Sequence, residues 1–427
     1  MSDDTSPAGL HHVVVVGASL AGLRACETLR TDGFTGRITA VGAETEMPYD
    51  RPPLSKKLLA GEWEPDRIRL RKADDMDALD VTWRLGVRAT ALDTGAKTVS
   101  LDDGGTIAYD GLVIATGATP RRIPEQSQLT GVCELRTLAD ALDLRARLVD
   151  ETTRVTVIGA GFIGLEVAAT AKQRGCVVTV LEGAPAPLMR ALGATLGTAV
   201  ASVHVRHGVE VRCGVQVAAL EGTPAVDGTP GRVTGVRLAD GTLIGSDVVV
   251  VGIGVSPATE WLVGSGLELR DGIVCDDTLF TGIPGVYAAG DCARWHNRVF
   301  DPHDDAVMRI EHWTNASEQG AVAARNLVAT ASGAPVTPYE SVPFFWSDQF
   351  ESRIQFVGRV HGDDQTHVFA GSIDSGDGRF AALYGYEGRL RGVLGVSMPK
   401  MVMPFRALIA ARATWDEALA KAHALTS

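Results

Sequence analysis

The chain has 427 residues, enough for about three domains of ordinary size. Hydrophobic residues make up 45% and charged residues 22%, as in an average globular protein, so the composition argues against disorder. With 52 acidic and 40 basic side chains the net charge is −12, which argues against nucleic-acid binding by bulk attraction. No apolar run approaches the ~20 residues of a membrane helix, and the polar, acidic first residues contain no secretory signal. We therefore expect a cytoplasmic protein with no nucleic-acid or membrane partner.

Two segments of the sequence repeat the pattern of a βαβ unit. Each contains a continuous apolar run, typical of a strand that is buried on both faces of a parallel sheet. A glycine-rich turn, a helical pattern and a second strand follow in both segments. In the first segment the strand is predicted at 13–16, the helix ends at about Arg30 and the second strand is predicted at 37–41. In the second segment the strand is predicted at 155–158, the helix ends at about Arg174 and the second strand is predicted at 177–181. Two dinucleotide-binding folds are therefore predicted.

Further strands are predicted after these units. Buried strands are expected at residues 111–115, 247–252 and 285–289. After about Pro335 the sequence changes to alternating strand-like segments whose turns are rich in glycine and aspartate. These segments are 353–360, 367–373, 380–386 and 392–396, and one amphipathic helix is predicted over 405–423. The predicted fold class is therefore α/β with a C-terminal α+β domain.

The second glycine-rich turn has the residue spacing of a dinucleotide-binding turn. Gly159 permits the tight turn, Gly161 lets the backbone approach a pyrophosphate, and Gly164 lets the helix pack closely on its strand. Glu182 ends the next strand, where its carboxylate can accept a ribose 2′-hydroxyl and would repel a 2′-phosphate. We therefore expect NAD rather than NADP, with Arg190 as the nearest basic residue along the chain.

The first glycine-rich turn departs from this pattern. Gly17 and Gly22 are in place, but Ser19 stands where the middle glycine is expected. The position equivalent to Glu182 is Gly42, with Glu44 two residues later. These residues alone therefore leave open an ordinary tight turn between strand and helix.

Two more predicted strands end in residues that suit ligand contact. Ala115, Thr116 and Gly117 close the strand at 111–115, and Gly290 and Asp291 follow the strand at 285–289. Ligands of open α/β sheets bind at the carboxyl ends of the strands. We therefore expect both strand ends to face a bound cofactor.

Seven motifs, specific in combination, resemble one known family over nearly the whole chain. They are YDRPPLSK at 49–56, ATG at 115–117, GFIGLE at 161–166, GIG at 252–254, GDCA at 290–293, EHWTNA at 311–316 and FWSDQ at 345–349. With these motifs the chain resembles the FAD- and NADH-dependent ferredoxin reductases of cytochrome P450 and dioxygenase systems, the putidaredoxin reductase and rhodocoxin reductase group.

The resemblance implies the glutathione-reductase-like fold, with two Rossmann-type dinucleotide-binding domains and a C-terminal α+β interface domain. In that fold an FAD-binding domain is interrupted by an NAD-binding domain. The expected boundaries are 1–118 and 250–335 for the two parts of the FAD-binding domain, 119–249 for the NAD-binding domain and 336–427 for the C-terminal domain.

The resemblance also implies three catalytic residues. Lys56 would lie close to the reactive N5 edge of the flavin, where a cation can stabilise the charge that develops. Glu166 would lie near the nicotinamide and position it, and Trp313 would lie against the isoalloxazine. Trp346 corresponds to a position toward the ferredoxin-docking face of the relatives.

The remaining cofactor-binding residues follow from the same motifs. The first turn would hold the FAD pyrophosphate, Ala43 and Glu44 would lie by the adenosine ribose, and Ala89 would contact the adenine. The whole expected set for FAD and NADH, besides Lys56, Glu166 and Trp313, is Gly17, Ser19, Ala21, Gly22, Ala43, Glu44, Arg51, Ala89, Ala115, Thr116, Gly117, Arg136, Gly159, Gly161, Phe162, Ile163, Gly164, Glu182, Arg190, Gly252, Ile253, Gly254, Gly290, Asp291, Glu311 and His312. Arg51 and Arg136 would reach the flavin, and Asp291 its ribityl chain or pyrophosphate.

Cysteines and histidines offer neither a thiol relay nor a metal site. The six cysteines are separate singletons with no CxxC, and we expect mostly buried thiols. The histidines form no cluster at metal-ligand spacing, and His11, His12, His204 and His207 are predicted to be surface residues. Without a dithiol, electrons must leave the flavin edge directly, which suits a one-electron acceptor that docks at the surface.

The predicted function is that of a ferredoxin–NAD(+) reductase, with a [2Fe-2S] ferredoxin as partner and a cytochrome P450 or a Rieske-type oxygenase behind it. Docking of an acidic ferredoxin needs a local basic patch. Two candidate patches are Arg67, Arg69, Arg71 with Lys72, and Arg294, Arg298 with Arg309. The alternatives are a rubredoxin reductase or NADH oxidase with the same cofactors, and a flavin-bound NADH sensor of the apoptosis-inducing-factor type.

Overall fold

The computed structural model describes residues 9–124, 129–225, 228–300, 306–374 and 378–427. Its residues group into two compact units. The first unit comprises Met1–Asp50, Arg69–Thr119 and Ser256–Pro343, and the second comprises Arg51–Ile68, Pro120–Val255 and Phe344–Ser427.

The helices and strands follow each other in chain order. Up to residue 192 they are β1 (His12–Val16), α1 (Leu20–Thr31), β2 (Arg37–Gly42), α2 (Lys57–Ala60), α3 (Ala73–Asp77), β3 (Val81–Leu85), β4 (Ala89–Asp93), β5 (Thr98–Leu101), β6 (Thr106–Ala108), β7 (Gly111–Ile114), β8 (Ala118–Pro120), β9 (Leu129–Thr130), β10 (Val132–Cys133), α4 (Leu138–Arg147), β11 (Arg154–Ile158), α5 (Phe162–Gln173), β12 (Val177–Glu182) and α6 (Met189–Leu192). The remaining elements are α7 (Ala194–Arg206), β13 (Glu210–Cys213), β14 (Val217–Gly222), β15 (Gly231–Leu238), β16 (Leu243–Gly245), β17 (Val248–Val251), β18 (Val255–Pro257), β19 (Ile273–Cys275), β20 (Val286–Ala288), β21 (Ala293–His296), β22 (Val307–Met308), α8 (Trp313–Ser332), β23 (Phe344–Gln349), β24 (Ser352–Gly358), β25 (Gln365–Gly371), β26 (Phe380–Tyr386), β27 (Arg389–Val396), α9 (Arg406–Ala410) and α10 (Trp415–Thr426).

The first unit is built on a five-stranded parallel sheet with the order β20-β7-β1-β2-β3. Every residue of β1 is buried, and Val14 pairs with Thr39 on one side and with Leu112 on the other. Helices α1 and α8 pack against each other so closely that a Cβ added at Gly320 would lie 2.2 Å from the carbonyl oxygen of Ala21. Because the strands are parallel, the carboxyl ends of β1, β7 and β20 meet at one edge of the sheet, where α1 begins.

The second unit contains a parallel sheet and an antiparallel sheet. The parallel sheet has the order β10-β17-β11-β12-β13, and the antiparallel sheet has the order β23-β24-β27-β26-β25. One hydrophobic core links them, with Val157 of β11, Leu165 of α5 and Phe356 of β24 among its buried members. Hydrophobic burial therefore fixes helix α5 between the two sheets of this unit.

The predicted architecture is confirmed in both βαβ segments and in the C-terminal strands. The fold class is α/β with the predicted C-terminal domain. The single helix predicted over 405–423 is wrong, because the structure has α9 and α10 there. Arg412 between them has a φ of 56°, which no α-helix contains. Thr414 then begins α10 in a capping box with Glu417.

Two of the four histidines predicted at the surface are buried. His12 is the first residue of β1, where Arg37 of β2 donates to its Nδ1 at 2.9 Å, so that Nε2 carries the proton and donates to Thr39. His204 of α7 is fully buried, with Nε2 3.0 Å from the carbonyl oxygen of Leu165. Burial lowers the pKa of both imidazoles. The prediction was wrong because single histidines carry no signal of the face on which they lie.

In the part of the chain that the structure describes, helices that combine the length and the apolarity of a membrane span do not occur.

Candidate functional site

The second glycine-rich turn joins β11 to α5 in the second unit. Gly159 has a φ of 107°, and a Cβ there would lie 2.3 Å from the carbonyl oxygen of Gly252. A Cβ at Gly164 would lie 2.2 Å from the carbonyl oxygen of Gly159. At Gly161, the N-cap of α5, an added Cβ would meet no atom within 4 Å. Two of the glycines are therefore needed by the chain's own packing, whereas Gly161 keeps open the space before the helix N-terminus.

Glu182 lies beside this turn at the end of β12. One carboxylate oxygen accepts the backbone N–H of Ala160 and the other that of Ala184, each at 2.7 Å. Arg190 is exposed on α6 and does not take part in these bonds. The turn and the acid thus have the geometry of a dinucleotide-binding turn, an open helix N-terminus beside a fixed carboxylate.

One further predicted segment, the motif at 252–254, borders the turn. Gly252 follows β17, and its N–H donates to the carbonyl oxygen of Ile158 at 2.8 Å, next to Gly159. Ile253 is half-buried and Gly254 is exposed with a φ of 99°. The carboxyl end of β17 therefore lies at the turn.

Helix α5 carries an ion pair in its second turn. Lys56 Nζ lies 2.7 Å from Glu166 Oε1, and the Lys56 and Glu166 side chains are 16% and 3% exposed. The hydroxyl of Ser55 donates to Glu166 Oε2 at 2.5 Å. Thr170, one helical turn further along α5, donates to the backbone carbonyl of Ser55 at 2.7 Å. Two of the three predicted catalytic residues are therefore in direct contact.

Strand β23 supplies the other side of this cluster. Its residues alternate between two faces, so that Phe345, Ser347 and Gln349 lie on one of them. The hydroxyl of Ser347 donates to Glu166 Oε1 at 2.5 Å. The ring of Phe345 lies 4.7 Å from that of Phe162, edge to face. Residues spaced by four on α5 thus contact residues spaced by two on β23.

Sequence reasoning missed Ser55, Ser347 and Gln349. They lie inside motifs that were recognised, but no role was predicted for them. A signal was available, because Ser347 and Gln349 alternate with Phe345 on what is a buried face, where a polar side chain needs a partner.

Other predicted residues of the second unit are also placed. Arg51 donates to the backbone carbonyl of Arg136, so these two predicted residues are brought together. Phe162 is half-buried against Phe345, whereas the side chain of Ile163, next along α5, is 51% exposed.

The first glycine-rich turn joins β1 to α1 in the first unit. Gly17 has a φ of 119°, and a Cβ there would lie 2.0 Å from the carbonyl oxygen of Ala115. A Cβ at Gly22 would lie 1.8 Å from the carbonyl oxygen of Gly17. Ser19 is the N-cap of α1, and its carbonyl oxygen accepts the first helical bond, from Leu23. This turn therefore has the same backbone packing as the second, with serine in place of the open glycine.

Two strand ends flank the first turn. Thr116, between buried Ala115 and the positive-φ residue Gly117, donates through its hydroxyl to the carbonyl oxygen of Ala258 at 2.8 Å. Gly290 follows β20, has a φ of 78°, and donates its N–H to the side-chain oxygen of buried Gln319 at 2.8 Å.

Ala21 and the ribose-side residues are placed differently. Ala21 is buried, and its Cβ would lie 3.1 Å from a Cβ at Gly290, so it packs between α1 and the end of β20. Ala43 is exposed just after β2, and Glu44 beside it accepts a hydrogen bond from the hydroxyl of Tyr49. Ala89 is half-buried at the start of β4.

The start of α8 gathers three predicted residues. Trp313 donates through Nε1 to Asp50 Oδ1 at 2.7 Å, which connects the motif at 311–316 to the motif at 49–56. Burial lowers the pKa of His312 to about 4, against the opposing field of Asp291, so its imidazole is neutral at pH 7. Glu311 accepts from Arg309 at 2.6 Å.

Asp291 is held through its backbone. The guanidinium of Arg309, with a side chain only 9% exposed, donates to the carbonyl oxygen of Asp291 at 3.1 Å. Asp271 pairs with the same guanidinium at 3.3 Å.

The two predicted basic patches are largely paired with acids or rings. Arg71 forms an ion pair with Glu27 at 2.6 Å. In the other unit, Arg67 lies over the ring of Trp63 at 4.6 Å. In the second patch Arg294 pairs with Asp271, Arg298 with Asp277 and Arg309 with Asp271 and Glu311.

The thiol prediction is confirmed. All six cysteines are free, and all but the half-buried Cys213 are buried. Burial is also the largest cause that raises the pKa of each thiol, to about 12 for Cys26 and Cys133. Raised pKa values make these thiols poor nucleophiles.

The residues present fit the two implied cofactors. Gly161 leaves open the space before a helix N-terminus, as a pyrophosphate requires, and Glu182 is held beside that space, as an acid that accepts a ribose hydroxyl requires. The first turn repeats the same strand–turn–helix packing in the first unit.

Comparisons with known proteins agree with this geometry. Residues 11–320 match the family described as pyridine nucleotide-disulphide oxidoreductase, and residues 344–425 match the reductase C-terminal domain. Rhodocoxin reductase of Rhodococcus erythropolis is 39% identical over 93% of this chain and 89% of its own length. The rubredoxin–NAD(+) reductase of Pseudomonas putida is 36% identical over 83% of this chain and 89% of its own.

A solved structure extends the likeness to three dimensions. The covalent putidaredoxin reductase–putidaredoxin complex contains a chain that matches with a TM-score of 0.86 and 35% identity, over 94% of this chain and 93% of that one. Family match, relatives and fold therefore coincide over nearly the whole length: the chain belongs to the pyridine nucleotide-disulphide oxidoreductase family and carries a reductase C-terminal domain.

Proposed function

We propose that the chain is an FAD-dependent ferredoxin–NAD(+) reductase, which takes a hydride from NADH and passes single electrons to a [2Fe-2S] ferredoxin. The observation that carries this proposal is the buried ion pair between Lys56 and Glu166, since Glu166 lies on the helix that begins at the open glycine turn. Rhodocoxin reductase and the solved putidaredoxin reductase complex support it. The ferredoxin would in turn serve a cytochrome P450 or a Rieske-type oxygenase.

The roles of the chain's own residues follow from their chemistry. Bound FAD supplies the step that divides a two-electron hydride into single electrons. Lys56 is proposed to hold its ammonium at the flavin, where negative charge develops. Glu166 holds that ammonium through its carboxylate and positions the nicotinamide. Trp313, fixed by its bond to Asp50, is proposed to lie against the isoalloxazine.

Cofactor binding is proposed for the same residues that the motifs indicated. The turn that contains Gly17, Ser19 and Gly22 would hold the FAD pyrophosphate, and that with Gly161 the NADH pyrophosphate. The proposed domain boundaries remain 1–118 and 250–335 for FAD, 119–249 for NAD and 336–427 for the C-terminal domain.

NADH is proposed as the electron donor in preference to NADPH. Glu182 is fixed by two backbone amides at the end of β12, so its charge cannot swing away from a 2′-phosphate placed there. Two unit charges of like sign in direct contact cost about 1 kcal/mol or more, depending on solvent exposure.

The electron acceptor is the point at which the alternatives differ. A rubredoxin is the second candidate, because a relative of that name is 36% identical. An NADH oxidase, with oxygen as the electron acceptor, would turn over fast without a carrier. An NADH sensor of the apoptosis-inducing-factor type would not turn over with any carrier.

A turnover assay in air separates these functions. NADH consumption is followed with a [2Fe-2S] ferredoxin, with a rubredoxin and without a carrier, using cytochrome c as the final acceptor. We expect the highest rate with ferredoxin and NADH, and at least a tenfold lower rate with NADPH. Equal or faster turnover with rubredoxin, or fast turnover without a carrier, would overturn the proposal.

A cytoplasmic location is also proposed. Free, buried thiols are typical of proteins in reducing compartments. Cell fractionation with antibody detection tests it, and recovery from any other compartment would contradict it.

A further inference from the structure

The C-terminal domain reaches the ion pair of the second unit through the side chain of Ser347. Ser347 is 1% exposed and Gln349 is fully buried, on the face of β23 that contacts α5. The pairing of Ser347 with Ile354 and of Gln349 with Ser352 fixes both residues in the register of the antiparallel sheet. The hydroxyl is therefore held in one place by a five-stranded sheet rather than by a loop.

The direction of the hydrogen bonds in this cluster is determined by the donors. Gln349 Nε2 lies 3.1 Å from the Oγ of Ser347 and can only donate. The single proton of the Ser347 hydroxyl is thus left for Glu166 Oε1, which lies 2.5 Å away. That oxygen also receives the ammonium of Lys56, and Oε2 receives the hydroxyl of Ser55.

Three donors from two segments of the chain therefore converge on one buried carboxylate. Lys56 and Ser55 come from the 51–68 segment and Ser347 from the C-terminal sheet, whereas Glu166 itself is on α5. Without the Ser347 hydroxyl the carboxylate loses its hydrogen bond from β23 and can turn about its side-chain torsions.

We infer that Ser347, oriented by Gln349, is a positioning residue that holds the Glu166 carboxylate, and through it the Lys56 ammonium, in the geometry needed for hydride transfer. The inference rests on the proposed function of Lys56 and Glu166. Gln349 acts through Ser347, so the two side chains form one functional unit.

The test compares four variants of the FAD-loaded protein. Ser347→Ala removes the hydroxyl, and Ser347→Thr restores it. Gln349→Met removes the amide donor at similar volume. Ser352→Ala is the matched control, because Ser352 is a buried serine on the neighbouring strand that pairs with Gln349. FAD content and the midpoint of thermal unfolding show whether each variant folds.

Two readouts distinguish positioning from structure. In anaerobic stopped flow, Ser347→Ala should lower the limiting rate of flavin reduction by NADH about tenfold, with the dissociation constant for NADH changed less. Infrared spectra without NADH give a readout independent of activity. The antisymmetric stretch of the Glu166 carboxylate, identified as the band that Glu166→Gln removes, should shift in Ser347→Ala and return in Ser347→Thr.

A double variant tests the coupling. If Gln349 acts through Ser347, Gln349→Met should slow reduction in the native background but have no further effect on Ser347→Ala. The inference is overturned if Ser347→Ala is reduced at the native rate, if Ser352→Ala is slowed equally, or if the two substitutions are additive. Failure of NADH to reduce the native protein would instead overturn the proposed function itself.

Discussion

At the scale of single residues, Lys56 shows how a buried charge is stabilised. Its ammonium lies on the Glu166 carboxylate and also donates to the carbonyl oxygen of Pro52 at 3.3 Å. A buried ion pair adds little to stability, since desolvation offsets the attraction, but removal of one partner is costly. The pair is therefore better explained by function than by stability.

Replacement of Lys56 tests that explanation. Lys56→Met keeps the length of the side chain but removes its charge, so the limiting rate of flavin reduction by NADH should fall at least tenfold. Lys57→Met is the matched control, because Lys57 is the exposed neighbour that lies 5.0 Å from the ring centre of Trp63. Stopped-flow absorbance at the flavin band measures both, and a native rate in Lys56→Met would refute the role.

The glycines of the second turn differ in what they are needed for. Gly161→Ala should fold with native FAD content, because its Cβ meets nothing in the chain, but should weaken NADH binding about tenfold by entering the pyrophosphate space. Gly159→Ala should instead lower the unfolding midpoint, since its Cβ would lie 2.3 Å from a carbonyl oxygen. Calorimetric titration with NAD+ and thermal unfolding measure the two effects; native affinity in Gly161→Ala would contradict the placement.

Glu182 is the residue expected to set cofactor choice. Glu182→Ala removes a negative charge and frees the N–H groups of Ala160 and Ala184. Each of these two effects favours binding of the 2′-phosphate of NADPH. The ratio of kcat/KM for NADPH to that for NADH should rise about tenfold. An unchanged ratio would show that the 2′-position lies elsewhere.

At the scale of elements, the site depends on the helical spacing of residues on α5 and on the alternation of residues on β23, which together bring their side chains into contact. Phe162 and Glu166 share one face of α5, and Phe345 and Ser347 share one face of β23. Helix and strand therefore contact each other through alternating apolar and polar pairs.

An ion pair between Arg154 and Asp247 joins the parallel strands β11 and β17 at their amino ends. Arg154 begins β11 and donates twice to Asp247, the residue before β17, at 2.9 and 3.0 Å. Hydrogen bonds from Arg154 hold the pKa of Asp247 at about 2, below its ordinary value of 3.8. Because the folded pKa is depressed, this contribution is present above about pH 4 and is lost as the pH falls through 2.

Asp247→Asn therefore has a pH-dependent effect. At pH 7 the variant should be less stable by about 1 kcal/mol, a value reduced for the exposure of both side chains, and the difference should shrink below pH 4. Urea denaturation of both proteins at several pH values measures it. Asp143→Asn, which breaks an exposed pair with Arg147 within α4, is the control and should cost only a few tenths of a kcal/mol. A difference that is constant down to pH 2 would contradict the assignment.

At the scale of the whole molecule, the sequence predicted what local patterns encode. Apolar runs and glycine turns predicted both βαβ units, and the motifs singled out Lys56 and Glu166, which form an ion pair in the structure. The patterns did not predict the break at Arg412, because the amphipathic pattern continues across it. They also did not reveal that Ser347 bonds to Glu166, 181 residues away, since such contacts arise only from tertiary packing.

The central claim is that electrons enter from NADH and leave singly to a ferredoxin. Its most direct test is to reduce the FAD-loaded protein with one equivalent of NADH without oxygen, and then to mix it with an oxidised [2Fe-2S] ferredoxin in a stopped-flow spectrometer. The account predicts that the flavin is reoxidised while two equivalents of ferredoxin are reduced at the same rate, and that rubredoxin is reduced more slowly. A flavin that remains reduced in the presence of ferredoxin would contradict the account.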